Sequence, residues 1–307
     1  MKVLVVNDIV GNRSRGLAAA LERRGCETVT AALSEIGFDT GSPSGLAIPG
    51  LGAGELPDAV LVRSVAAGSF EAITRRLGVL HALARLGVPV WNSAQAIERC
   101  VDKSMTTFLL QRAGLPTPAT FAVEGLDAAQ AIVAHEAGSL VLKPLFGAQG
   151  RGIRLVRSTE DLPPEEDVNG VYYLQRYVPR PGPPFRDYRV FVCADRVLAM
   201  MLRRGDDWIT NINRGATPEG LVSHDGELEK LAIAAARAVG ADFAGVDILP
   251  DAEGRLFILE VNSMPAWSGL QSVVAVDIAD AIAEALLDFL AVRADTPASL
   301  LPASAAC

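Results

Sequence analysis

The first hundred residues alternate short apolar runs with stretches of helical periodicity. Val3 to Val6 is a continuous apolar run of the kind a strand buried on both faces requires, and Leu17 and Leu21, with alanines between, form a helical face that Gly25 ends. Ala59 to Val62 repeats the strand pattern. Ile73, Leu77, Leu80 and Leu83 fall near helical spacing within Phe70 to Leu86, and Val88 to Trp91 predicts a further strand. This alternation predicts an α/β domain over residues 1–100, a parallel sheet covered by helices. Residues 37–57, dense in Gly, Pro and Ser, read as a loop.

The pattern changes at Asp102. Met105, Phe108, Leu109 and Arg112 lie on one helical stripe, which Gly114, Pro116 and Pro118 stop. Strands over Thr120–Val123, Leu140–Lys143, Ile153–Arg157 and Tyr172–Val178, with a helix from Asp127 to about Ala137, predict a small α+β unit over residues 101–178. Pro179 to Pro184 holds four prolines in six residues and reads as a hinge. Beyond it, a third unit over residues 179–293 is expected. Tyr188–Cys193 and Val197–Leu202 form a hairpin about Ala194-Asp195, and a helix covers Glu227–Val239. Phe243–Leu249 and Leu256–Asn262 form a second hairpin, and Asp277–Val292 closes the chain as an amphipathic helix. Residues 294–307, rich in Ala, Ser and Pro, read as a disordered tail.

At a net charge of −8 the chain lacks the basic surface that broad nucleic-acid binding needs, so an anionic substrate must be met by a few placed cations. Lysine is scarce: Lys2, Lys103, Lys143 and Lys230 only. Cys26, Cys100, Cys193 and Cys307 stand far apart, without a CxxC pair, and predict reduced thiols rather than a disulfide framework or a zinc site. No run approaches the roughly 20 apolar residues of a membrane span. A cytoplasmic protein without a membrane partner is therefore expected.

Two segments carry candidate chemistry. In VLKPLFGAQGRGIRLV, a strand ends in Lys143 and glycines follow at 147, 150 and 152. Glycines let a backbone approach phosphate with its N–H groups free, and the lysine adds a point charge. Neither a Walker loop nor a dinucleotide fingerprint is present, and taken alone the turn also fits an ordinary hairpin. The segment FAGVDILPDAEGRLFILEVNSMPAWSGL is more specific. Asp247, Glu260 and Asn262 project from two paired strands, with Glu260 and Asn262 on one face. Two carboxylates and an amide oxygen amid Val, Ile, Leu and Phe make a hard-oxygen site suited to Mg²⁺.

DKSMTTFLLQRAGLP, VLKPLFGAQGRG, YLQRYV, RDYRVFV, RRGDDWITNINRGA, GVDIL and EVNSMPAWSGL follow the order and approximate spacing of the ATP-grasp ligases. Over about residues 90–290 the chain resembles their RimK-type group, which adds glutamate. The resemblance implies an ATP-grasp fold, α/β and α+β, behind an N-terminal parallel-sheet domain, and ATP with Mg²⁺ or Mn²⁺, two ions, as cofactors. It further implies that Lys103 and Lys143 meet nucleotide phosphates with the turn of Gly147, Gln149, Gly150 and Gly152. Gln175, Arg176, Tyr177 and Val178 would present backbone to adenine, with Asp187 on the ribose side and Asn211 at the phosphate end. Asp247, Glu260 and Asn262 would hold the metal. Arg203 or Arg204, with Arg189, would steady the transferred phosphate, and Arg214 would meet the amino-acid carboxylate. Arg176 stands where many relatives have Glu, and NRGA replaces a commoner RGG.

The activity so implied is ligation of L-glutamate to a small acceptor carboxylate of the tetrahydromethanopterin or methanofuran type. The alternatives are a ligase acting on a ribosomal-protein C-terminus and an ATP-binding regulator without catalysis. The resemblance also implies a homodimer or tetramer. Asn7 and Asp8, at a strand end, fit a cleft wall or a helix cap; Arg63 and Asn92 fit the same cleft, and Trp267 fits stacking or packing. His81, His135 and His224 read as surface or packing residues, with His224 near the substrate side.

Overall fold

The computed structural model describes residues 1–8, 12–147, 150–221 and 226–295. The chain divides into two compact units. Residues 1–97, 241–243 and the described residues from 276 onward form the first, and residues 98–240 and 244–275 the second.

In chain order the first unit contains β1 (Lys2–Asn7), α1 (Asn12–Arg23), β2 (Glu27–Ala31), β3 (Gly37–Phe38), β4 (Leu46–Ala47), β5 (Ala59–Ser64), α2 (Phe70–Arg85) and β6 (Val90–Trp91). The sheet order β2-β1-β5-β6 is parallel throughout, as the alternating pattern predicts. Val3–Val6 and Ala59–Val62 are fully buried, which is why both strands are apolar without alternation. Ser69 caps α2 by accepting from Ala72 N. The expected loop over 37–57 contains the β3–β4 ladder, and β2 adds an edge strand whose polar sequence, ETVTA, hides it from a hydrophobicity reading.

α3 (Ala94–Val101) leads into the second unit, which holds α4 (Lys103–Arg112), β7 (Thr120–Glu124), α5 (Leu126–His135), β8 (Leu140–Lys143), β9 (Arg154–Val156) and β10 (Val171–Arg176). β11 (Phe185–Cys193), β12 (Arg196–Gly205), β13 (Thr217–Gly220), α6 (Gly226–Val239), β14 (Phe243–Pro250), β15 (Leu256–Asn262) and α7 (Ser268–Gln271) follow. One sheet has the order β7-β10-β8-β9 and is antiparallel; the other runs β13-β12-β11-β14-β15. Tyr172, Leu174, Leu140, Leu142 and Ala129 fill the core under the smaller sheet. Ala194 and Asp195 both take positive φ (47° and 59°), the turn that matches strand twist in a two-residue hairpin. The second hairpin turns on Asp251, whose Oδ1 accepts from Glu253 N and Arg255 N.

α8 (Ile278–Asp295) returns to the first unit. Ile278, Ile282 and Leu286, at four-residue spacing, are fully buried, and α8 packs along α1, where a Cβ on Gly16 would stand 3.7 Å from Ala279 Cβ. Asp280 pairs with Arg24 at 2.8 Å across the same contact. The closing helix, expected with the third sequence segment, thus belongs by packing with the first. Residues 296–307 lie outside the described residues. Among the described residues no helix is long and apolar enough to cross a membrane. Cys26, Cys100 and Cys193 are buried and take part in no disulfide among the described residues.

Candidate functional site

Both sheets of the second unit contribute to one cavity. From the smaller sheet come Val141, Lys143 and Gln175, followed by Arg176, Tyr177 and Val178 at the end of β10. Lys143 ends β8, and its Nζ donates to Gln175 Oε1 on neighbouring β10 at 2.6 Å. Burial pushes the Lys143 ammonium down to about 8, against the raising effect of Glu260. Gln175 Nε2 donates to Thr120 Oγ1 at 3.4 Å, so the amide is oriented with its oxygen on the lysine. Arg176 turns outward in a bidentate pair with Glu136 at 2.8–3.0 Å, half-exposed. Tyr177 meets Trp208 edge-to-face with ring centroids 5.8 Å apart.

The glycine-rich turn is anchored from two sides. Lys103 follows the Asp102 cap of α4, and its Nζ donates to Leu145 O and Gly147 O, both at 3.0 Å. Its ammonium is thus spent on turn carbonyls; burial lowers its pKa while Glu260 raises it. Arg214 Nη1 donates to Gly150 O at 3.4 Å and Nη2 pairs with Asp207 at 3.1 Å. Gly150 and Gly152 have φ of +69° and +70°, and a Cβ at Gly152 would stand 2.8 Å from Pro144 Cγ, so a larger residue cannot take this path without displacing the proline. Gln149 lies outside the described residues. Asn211, a cavity residue, caps a short 3₁₀ turn by accepting from Asn213 N at 2.9 Å.

The larger sheet supplies a buried chain of charges. Asp187 and Arg203 face each other across β11 and β12. Arg203 Nε and Nη2 donate to Asp187 Oδ1 and Oδ2 at 2.7 and 2.6 Å, and Nη2 also lies 3.2 Å from Asp247 Oδ2. Arg189 binds Asp247 bidentately, with Nη2 2.8 Å from Oδ2. Burial opposes the charge of Arg203, but Asp187 and Asp247 outweigh it and hold its pKa above the usual value. Burial likewise pushes the Asp247 carboxyl up, and Arg189 and Arg203 reverse this and lower it. Arg204 is corrected as a site candidate. Strand alternation turns it to the opposite face, where it pairs with Glu219 of β13 at 3.0 Å, while Arg203 and Arg189 line the cavity.

Asp247, Glu260 and Asn262 meet on this wall. Asp247 opposes Glu260 and Gly245 opposes Asn262 across β14 and β15. Asn262 Nδ2 reaches Gly245 O at 3.5 Å, leaving its amide oxygen to serve as a ligand atom. The register shifts after Asp247, and the bulge lets the consecutive residues Leu259 and Glu260 both line the cavity. Among the described residues no cluster of three or more His, Cys, Asp and Glu side chains is assembled for a metal. Two carboxylates and one amide oxygen are what Mg²⁺ takes when substrate phosphates complete its shell, so the donor set fits that ion.

Sequence reasoning missed Arg180 and Trp208. Arg180 lines the cavity from inside the proline-rich stretch, donates to Trp208 O at 2.5 Å and lies over Phe185, 5.6 Å from the ring centroid. Reading that stretch as a hinge concealed a side chain, and its one signal was a cation among prolines. Among the described residues, none of the other candidates lines this cavity. Asp8 accepts from Leu33 N and Ala66 N, the latter at 2.9 Å, and Asn92 bridges Asp242 N and Phe243 N and O in the first unit. Arg63 is buried there, and Trp267 packs edge-on against Phe191. His135 bonds Ala131 O within its own helix, and His224 lies outside the described residues.

Residues 100–286 match the RimK-like ATP-grasp domain. The chain is 38% identical over 208 residues to the tetrahydromethanopterin:alpha-L-glutamate ligase of Methanococcus maripaludis, covering 66% of this chain and 70% of that protein. The protein of the same description from Methanosarcina acetivorans is 33% identical over 266 residues, 76% of this chain and 81% of its own. Among solved structures, the ATP-grasp ligase PsnB complexed with minimal precursor superposes with a TM-score of 0.71 at 22% identity, over 93% of this chain and 98% of that one, a likeness of fold. With one domain match over residues 100–286, more than half of its length, and a relative 33% identical over 76% of it, the chain belongs to the RimK-like ATP-grasp family.

Proposed function

We propose that this chain is an ATP- and Mg²⁺-dependent ligase that joins L-glutamate to a carboxylate of a small pterin-type C1 cofactor. The observation that carries the reading is one cavity lined by Lys143, Arg189 and Arg203 together with Asp247, Glu260 and Asn262. The relatives named as glutamate ligases supply the substrate class.

Amide formation from a free carboxylate is uphill in water, so the acceptor carboxylate oxygen first attacks the γ-phosphorus of ATP. ADP leaves and an acyl phosphate forms. The glutamate amine then attacks the acyl carbon, loses a proton, and inorganic phosphate departs with the former C–O bond. Such transfer needs positioning and charge neutralisation more than a protein nucleophile. Lys143, Arg203 and Arg189, all lining the cavity, would supply positive charge at the phosphates. Arg214, half-exposed beside the turn, is suited to the amino-acid carboxylate. Bound Mg²⁺, held by Asp247, Glu260 and Asn262, supplies Lewis-acid neutralisation of the phosphate oxygens. Tyr177, Val178 and Trp208 offer the apolar surface a base requires.

The test is incubation with ATP, Mg²⁺ and single amino acids, plus either a low-molecular-weight cell fraction or ribosomal proteins, with ADP and product mass followed. Glutamate-dependent ADP release with a cofactor gaining one glutamate is the expected result. Glutamate on a protein tail would move the acceptor, and no ADP above background in any mixture would point to a non-catalytic ATP binder.

Lys143 sets a pH dependence. Only its charged form attracts phosphate, so the KM for ATP is expected to be level below pH 8 and to rise by up to about tenfold per pH unit above it. Initial rates across this range measure it. The unfolded chain holds the extra proton between about 8 and 10.5, so this group's contribution to stability rises with pH there. Weaker binding at high pH is therefore not unfolding caused by Lys143.

A further inference from the structure

Asp247 is claimed twice: the metal reading needs its oxygens, and two guanidiniums hold them in the structure. The two claims are unequal. Arg189 gives Asp247 two donors, Nε and Nη2. Arg203 gives both donors to Asp187 at 2.6–2.7 Å and lends Asp247 only the second contact of Nη2, at 3.2 Å. Asp187 is almost wholly buried, as is Arg203, so their attraction is little screened by water.

We propose that Asp187 is a positioning residue that holds Arg203 off Asp247, keeping that carboxylate available to a divalent cation while Arg203 stays aimed at the cavity. This rests on the metal assignment above and departs from the ribose-side role that the resemblance implies for Asp187. When a cation takes Asp247, Arg203 keeps a full carboxylate partner and does not move, whereas Arg189 loses its partner and becomes free to pair with an anion. Cation and phosphate binding then support one another through Arg189, and each raises the affinity for the other.

Without the Asp187 charge, Asp247 is the carboxylate left to Arg203, and the cation must compete with a second guanidinium fully engaged there instead of one lending a single longer contact. Mn²⁺ binding to the full chain without nucleotide, read from the electron paramagnetic resonance signal of the free ion, tests this. Asp187→Asn is expected to weaken Mn²⁺ by about tenfold, the scale of one charge-assisted contact, and Arg189→Met to tighten it by a similar factor. In an Arg203→Met background, Asp187→Asn is expected to change nothing, because the residue acts through Arg203. That comparison also decides the matter if Asp187→Asn alone does not fold. Unchanged Mn²⁺ affinity in Asp187→Asn, with a raised KM for ATP, overturns the proposal in favour of the ribose role. A Mn²⁺ affinity that Asp187→Asn still lowers in the Arg203→Met background also overturns it. Glu260→Gln separates the two levels. Loss of Mn²⁺ there with no effect of Asp187→Asn rejects the positioning role alone, and retention of Mn²⁺ there rejects the metal site and the proposal together.

Discussion

Replacing Glu260 by alanine is expected to lower kcat/KM by about a thousandfold or more, because it removes one of the two carboxylates of a three-ligand oxygen set, and the other carboxylate lining the cavity, Asp187, is held bidentately by Arg203. The fold should survive. Glu260 is only partly buried, and the β14–β15 ladder around it is held by backbone pairing and by Val246, Ile248, Ile258 and Val261, all fully buried. Steady-state ADP release together with a thermal melt checks both halves. Turnover near the parent value would remove Glu260 from the site, and a collapsed melt would show a structural carboxylate.

Arg203→Met carries the largest expected stability effect. It leaves Asp187 without its bidentate partner and Asp247 with Arg189 alone, both carboxylates being buried. Removing one partner of such a buried pair costs about 3–5 kcal/mol, against about 1 kcal/mol or less for Arg204→Met, whose pair with Glu219 is 40% exposed. Urea denaturation of the two variants measures the difference. Turnover should follow the same order, since only Arg203 lines the cavity. Equal losses for the neighbouring arginines would refute the assignment of faces.

That contrast marks where the sequence stops being informative. RRG at 203–205 holds two adjacent arginines, and alternation guarantees that just one faces inward, but the choice depends on register with β11. The pairing of Asp187 with Arg203 is therefore a product of strand alignment. Asp247, Glu260 and Asn262 were legible because hairpin partners lie close in sequence and carboxylates are conspicuous among apolar residues. The bulge at Leu259 was not, because it inserts a residue without changing composition. Strands of two residues, β3 and β4, are too short for any periodicity to show. Lys103 and Lys143 stood out by rarity, yet their partners differ: carbonyls of the turn for one, a neutral amide for the other.

The return of α8 bears on how the chain is made. The parallel sheet, complete once residue 91 has emerged, lacks the Ile278, Ile282 and Leu286 surface until synthesis has passed through all of residues 98–275. During that interval α1 keeps an apolar side open to solvent, whereas the second unit has every strand and helix it needs as soon as residue 275 has emerged. The segment translated first is thus the later one to finish folding, and a chaperone that shields nascent apolar surface has its natural client in the amino-terminal unit.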